Sequence, residues 1–276
     1  MYKKVFNNKI YLTCFADGKI YEDTQTKFKE TYKGAGIDEI IFWNKKQIQS
    51  TEFYEKNKKI LDIKKGAGLW IWKPYIILDL MNKIDNDDFI IYCDCSSQYP
   101  LGFEYNVIPL LNYLHKNKLF HPGTHLFTNK YILKYWSHNE TFKIMNLDRE
   151  KYGNKNMCQT SPSIWRKNDL CKKFLNEWLH YCSNYNCIKY IDNMKNIKDE
   201  SFLIRSQCDQ SILSLLIHKY KLKVFSPRGP FPNNIVTDEK KKDKKNGIYV
   251  YVRFLKNHNY IFKLACENKE LNFIQL

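Results

Sequence analysis

One acidic residue of this chain is set apart by what precedes it. Asp94 ends the run Phe89-Ile90-Ile91-Tyr92-Cys93, a short β-rich apolar segment suited to a buried parallel strand. A carboxylate just past such a strand lies at the carboxyl edge of an open α/β sheet, where ligands bind. A Mg²⁺ or Mn²⁺ ion carrying substrate phosphates takes only one or two protein carboxylates, because phosphate oxygens and water fill its remaining positions. An Asp there equally caps the next turn, and the local spacing supports both readings.

Other residues offer chemistry with weaker local signals. Asp209-Gln210 precedes Ile212, Leu213, Leu215 and Leu216, a position at which Asp is a good helix N-cap, and His218 reads as a satisfied helix-end histidine. Thr13 to Asp17 closes an early strand, where it holds a base or ribose or is an ordinary strand-to-turn junction. His121 and His125 have metal-pair spacing only on a helix, which the intervening Pro122-Gly123 forbids. The nine cysteines are odd in number and show neither CxxC nor zinc-site spacing, so they read as reduced, buried, small apolar residues.

The elements that must position these residues follow from periodicity. Strands are predicted at Lys9 to Phe15, Ile37 to Trp43, Phe89 to Cys93, Leu222 to Phe225 and Ile248 to Phe254, with further strands after His121 and over Met157 to Trp165, where Pro162 weakens the pattern. Helices are predicted over Lys45 to Leu61, from Pro74 to Ile84, over Tyr105 to Lys118, over Arg166 to Tyr181 with Asn168 or Asp169 as cap, and over Cys208 to Tyr220. Asp85-Asn86-Asp87-Asp88 is a turn, and Gly34-Ala35-Gly36 does not complete a dinucleotide fingerprint. The stretch from Tyr181 to Asp199 reads as a polar loop.

With 276 residues, 43% hydrophobic and 16% aromatic, the chain has the composition of a globular protein and the length for one large core or two unequal subdomains. It shows no window resembling a membrane span and no signal-peptide pattern, so the reading is cytoplasmic. A net charge of +16, spread along the whole chain, favours anionic partners: nucleotide phosphates, acidic glycans or anionic lipid surfaces contacted peripherally. A nucleic-acid-binding module is the alternative class, but the aromatics sit mostly inside apolar periodic runs.

Three blocks in order resemble the nucleotide-sugar glycosyltransferases of the GT-A fold, most closely a group found in large DNA viruses and in bacterial capsule or lipopolysaccharide loci. The blocks are Thr13-Cys14-Phe15-Ala16-Asp17; Gly66-x-Gly68-x-Trp70-Ile71-Trp72-Lys73-Pro74-Tyr75 leading to Tyr92-x-Asp94; and Asp209-Gln210-Ser211. The resemblance implies an α/β, Rossmann-like domain with a mixed, mostly parallel central sheet flanked by helices. Residues 1–100 would be its nucleotide-binding half, and residues 101–276 its acceptor and donor-sugar half with a C-terminal lobe. It implies a hexosyltransferase moving sugar from a nucleotide donor, UDP-linked by expectation, to a glycan or other hydroxyl acceptor, in the host cytoplasm if the source is viral. Thr13, Phe15, Ala16, Asp17, Trp70, Trp72, Lys73, Tyr92 and Asp94 would bind the donor. Asp94 would hold Mn²⁺ or Mg²⁺ at the first acidic position of a DxD motif whose second is Ser96, with His258 as a helper. Lys73 would neutralise the diphosphate, and Asp209 and Gln210 would face the donor sugar. The Ser96 replacement also suits a non-catalytic nucleotide-sugar-binding homologue.

Overall fold

The computed structural model describes residues 3–32, 35–95, 107–126, 131–192, 203–225 and 273–275. Ser96, the Lys240 to Lys245 run, the predicted strand from Ile248 and His258 lie outside the described residues.

The chain opens with β1 (Ile10–Ala16), α1 (Lys19–Thr31) and β2 (Glu39–Asn44). α2 (Lys45–Gln49), α3 (Glu52–Leu61), α4 (Gly66–Leu69) and α5 (Trp72–Lys83) then lead into β3 (Phe89–Tyr92). α6 (Ile108–Lys116), β4 (Thr124–His125), α7 (Leu133–Trp136), α8 (Asn139–Ile144), α9 (Arg149–Gly153), β5 (Cys158–Gln159) and β6 (Ser163–Arg166) follow. α10 (Asp169–Cys182), α11 (Tyr185–Ile188), α12 (Cys208–Lys219), β7 (Lys223–Phe225) and β8 (Phe273–Gln275) complete the described elements.

The fold is α/β with a mixed, mostly parallel central sheet in the order β2-β1-β3-β6. β1 runs parallel to β2 and β3, and β6 closes the edge antiparallel to β3. β1 is buried along its whole length, which its unbroken IYLTCFA run requires of a strand covered on both faces. Successive residues serve opposite layers. Tyr11, Phe15, Ile90, Tyr92 and Trp165 pack with α5, α10 and α12, whereas Leu12, Cys14, Phe89, Ile91 and Ile164 pack with Phe28 of α1 and Leu110, Leu111 and Leu114 of α6. A second, smaller sheet has the order β5-β4-β7-β8.

Several sequence expectations are corrected. The helix predicted over Lys45 to Leu61 is two, because Asn44 and Thr51 each cap a new start with a side-chain oxygen on a backbone N–H. The strand predicted over Met157 to Trp165 is broken into β5 and β6, with Pro162, which has no N–H to give a ladder, between them. The loop expected after Tyr181 contains α11, capped by Asn184. Asn168 caps α10 as expected, accepting from the Cys171 N–H at 2.8 Å. No helix among the described residues is long and apolar enough to cross a membrane.

Candidate active site

The strand order places a crossover reversal between β1 and β3. The chain leaves β1 for one side of the sheet to make β2 and returns to the other side as β3. The carboxyl ends of β1 and β3 therefore form the crevice in which open α/β sheets bind ligands. Asp94 lies there, two residues past β3, with its side chain 44% exposed.

Three other segments close on it. α5 brings Lys73, whose side chain is only 3% exposed, with Nζ 3.3 Å from Asp94 Oδ1 and 3.5 Å from Asp209 Oδ2. Lys73 also donates a 2.8 Å hydrogen bond to Thr160 Oγ1 between β5 and β6. The Tyr92 hydroxyl donates to Asp94 Oδ1 at 2.5 Å, and the Asp94 N–H donates to Ser161 Oγ at 2.8 Å. Asp209, 5% exposed, is the second residue of α12, and Trp178 of α10 donates from Nε1 to its backbone carbonyl at 3.1 Å.

A strained turn sets Lys73 in place. α4 is a single helical turn of left-handed backbone: φ is positive at Gly66, Ala67, Gly68, Leu69 and on through Trp70. Left-handed backbone costs a non-glycine residue about 1–2 kcal/mol, and such strain persists where the surroundings over-determine it, often at functional sites. The two glycines are required by contact as well as by φ. A Cβ on Gly66 would stand 2.4 Å from the Trp70 ring, and one on Gly68 would stand 2.7 Å from the Leu61 Cα. Trp72 donates from Nε1 back to the Gly66 carbonyl at 3.0 Å, and α5 starts immediately after the turn.

Electrostatics follow from burial. For Lys73, desolvation disfavours the ammonium, but Asp209 and Asp94 outweigh it and raise its pKa. Burial pushes the Asp209 carboxyl up to about 6, against the pull of Lys73 and with a smaller push from Asp94. Burial, then Asp94, raises the Tyr92 hydroxyl well above its ordinary value, so it stays a donor.

The remaining predicted residues fall as follows. Phe15 stacks on Trp72 at a ring separation of 4.1 Å, and both are buried in the core beneath the site. Thr13 and Ala16 are buried at the β1 end, and Asp17 pairs at the surface with Lys45, 3.3 Å away. Trp70 is half-buried against the core with its ring over Gly66. Gln210 is half-buried on α12 beside Asp209. The capping expectation for Asp209 is corrected: the helix begins one residue before it, at Cys208, and its carboxylate faces Lys73. His218 is satisfied as expected, with Nε2 2.7 Å from the Asn156 carbonyl. His121 is buried and paired through its backbone with Ile164, outside any helix.

Thr160 and Ser161 were not legible as site residues. Their only sequence signal is a Thr-Ser-Pro-Ser run that ends a weak strand.

The donor set fits the divalent cation that the resemblance implies. Among the described residues two carboxylates face one ammonium, and Asp94 is the exposed member. One such carboxylate suffices when substrate phosphates share the ion. Among the described residues no three His, Cys, Asp or Glu side chains converge into a protein-only metal cage. Comparison of the chain with protein-family models, curated proteins and solved structures finds no match in any of the three.

Proposed function

We propose that this chain is a GT-A-type glycosyltransferase that moves a hexose from a nucleotide-sugar donor, UDP-linked by preference, to a hydroxyl of a glycan acceptor. One observation carries the reading. Lys73, Asp94 and Asp209, from three separate parts of the sequence, meet in one cluster at the carboxyl edge of the parallel strands.

In this reaction the bond between the anomeric carbon and the diphosphate oxygen breaks, and its electron pair leaves with the diphosphate. The acceptor oxygen forms the new bond and gives up its proton. Asp94 would hold Mn²⁺ or Mg²⁺, which supplies neutralisation of the charge growing on the leaving group. Asp209 supports positive charge on the sugar ring or takes the acceptor proton, and a carboxylate near pH 6 is well placed for that transfer. Gln210 beside it faces the donor sugar. Tyr92 and Ser161 orient Asp94, so the exposed carboxylate is held before substrate arrives.

Release of nucleoside diphosphate from UDP-glucose, UDP-galactose, UDP-N-acetylglucosamine and GDP-mannose tests the proposal. Turnover of one donor by the wild-type chain, lost in Asp94→Asn and Asp209→Asn, is the expected result. Saturable binding of UDP with no turnover of any donor would make the chain a non-catalytic homologue. Absence of both would remove the reading.

A further inference from the structure

The resemblance gives Lys73 to the diphosphate. We infer instead that Lys73 is a positioning residue: its ammonium is already ion-paired inside the protein with both carboxylates, and its work is to fix Asp94 and Asp209 relative to one another. The inference rests on the glycosyltransferase reading only for the identity of the anion that Lys73 does not bind.

The geometry leaves the ammonium little to offer. An ammonium has three N–H donors. Thr160 Oγ1 accepts one as a hydrogen bond at 2.8 Å, and Asp94 Oδ1 and Asp209 Oδ2 form ion pairs with the charge at 3.3 and 3.5 Å. The side chain is 3% exposed, so the ammonium sits inside this set of partners. Charge gives the same answer. Among the described residues one ammonium stands between two carboxylates, an arrangement that repels a diphosphate unless a further cation intervenes. The Tyr92 and Trp72 rings, with centroids 5.2 and 5.9 Å from Nζ, add to its internal stabilisation.

What the ammonium does instead follows from the same distances. Asp209 Oδ2 is buried and makes no hydrogen bond among the described residues, so Lys73 is the charge that holds it ionised inside the protein. With Nζ 3.3 Å from Asp94 Oδ1, Lys73 also ties the exposed carboxylate that fits the cation to the buried one that faces the sugar. The left-handed turn ends just before α5, the helix that carries this side chain.

Two measurements decide the inference, and the first needs no substrate. In a double-mutant cycle of Lys73→Met and Asp209→Asn on urea unfolding, a satisfied internal pair gives strong coupling: the folding constant of the double variant exceeds the additive expectation about tenfold or more. Additive effects would overturn the proposal. In the second, calorimetry measures UDP binding, with MnCl₂ present, to wild type, Lys73→Met and Lys73→Arg. A positioning role leaves the Kd within about threefold in Lys73→Met while kcat falls about a hundredfold or more and recovers in part with Arg. Mn²⁺ affinity, read by electron paramagnetic resonance without nucleotide, is unchanged or tighter in Lys73→Met, because a positive charge beside Asp94 has been removed. A Kd weakened about tenfold or more with kcat retained would return Lys73 to the diphosphate. A wild-type chain that binds no UDP sinks the glycosyltransferase reading, and the folding cycle still decides whether Lys73 is satisfied internally.

Discussion

At the scale of residues, the site is a contest between burial and pairing. Asp209 is the residue on which burial wins: its carboxyl titrates near 6 instead of its ordinary 3.8. The sign of the consequence is fixed. The folded chain keeps this proton to higher pH than the unfolded chain does, so the Asp209 contribution makes stability fall as pH rises from about 4 to about 6. Urea unfolding across that window should show the slope in wild type and lose it in Asp209→Asn, a difference on the order of 3 kcal/mol between its two ends. A parallel pH dependence in both proteins would place the titration elsewhere. For activity, Asp94→Asn and Asp209→Asn should each lower kcat/KM by about a hundredfold or more, since each removes a charge that acts in the transition state. Asp94 was legible because it follows an unmistakable apolar strand. Asp209 was legible only through the three-block resemblance, since by itself it reads as a helix cap.

At the scale of elements, the glycine block is explained by contact geometry. Gly68 has φ of 100° and no room for a Cβ beside the Leu61 backbone. Gly68→Ala should therefore destabilise the fold by about 2 kcal/mol or more, read as a shift in the urea midpoint at constant m. Gly18, also at positive φ but with open space around it, should cost less on the same substitution, about 1 kcal/mol. Equal effects at the two positions would mean that φ alone sets the cost and that the close approach to α3 does not matter. Strand identity and helix caps were readable here: β3 from its apolar run, α10 from Asn168 and its stripe of Cys171, Phe174, Leu175 and Trp178. The split between α2 and α3 was not, because the Thr51 cap lies inside a helical pattern that runs straight through it.

At the scale of the whole molecule, a charge of +16 does not by itself make a nucleic-acid platform. The largest fully buried side chains include Trp165, Trp178, Tyr92 and Phe174, which are core and not a stacking platform for bases. The charge then acts as a general field for anions. An unstructured single-stranded oligonucleotide should bind without sequence preference and be released between about 50 and about 200 mM salt, followed by fluorescence anisotropy. Tight binding that survives the higher salt would revive a nucleic-acid role. The two faces of the central sheet carry separate apolar layers, one with α5, α10 and α12 and one with α1 and α6. The site sits where the strand order reverses between them.

By itself the sequence determined the α/β class, the buried parallel strands and the position of Asp94 at a strand end. These are local properties: apolar runs, periodicity and turn residues act over a few neighbours, and the carboxyl end of a strand is known once the strand is. Only the tertiary structure decided that Lys73, Asp94, Thr160 and Asp209 are neighbours, since they are separated by up to 136 positions in the chain. It also decided that Lys73 is buried between carboxylates, that Asp209 turns its carboxylate inward instead of capping its helix, and that Ser161 and Tyr92 aim Asp94. Burial and the distance between charges set how strongly these groups interact and at what pH they ionise, and both are properties of the packed chain, not of residue type.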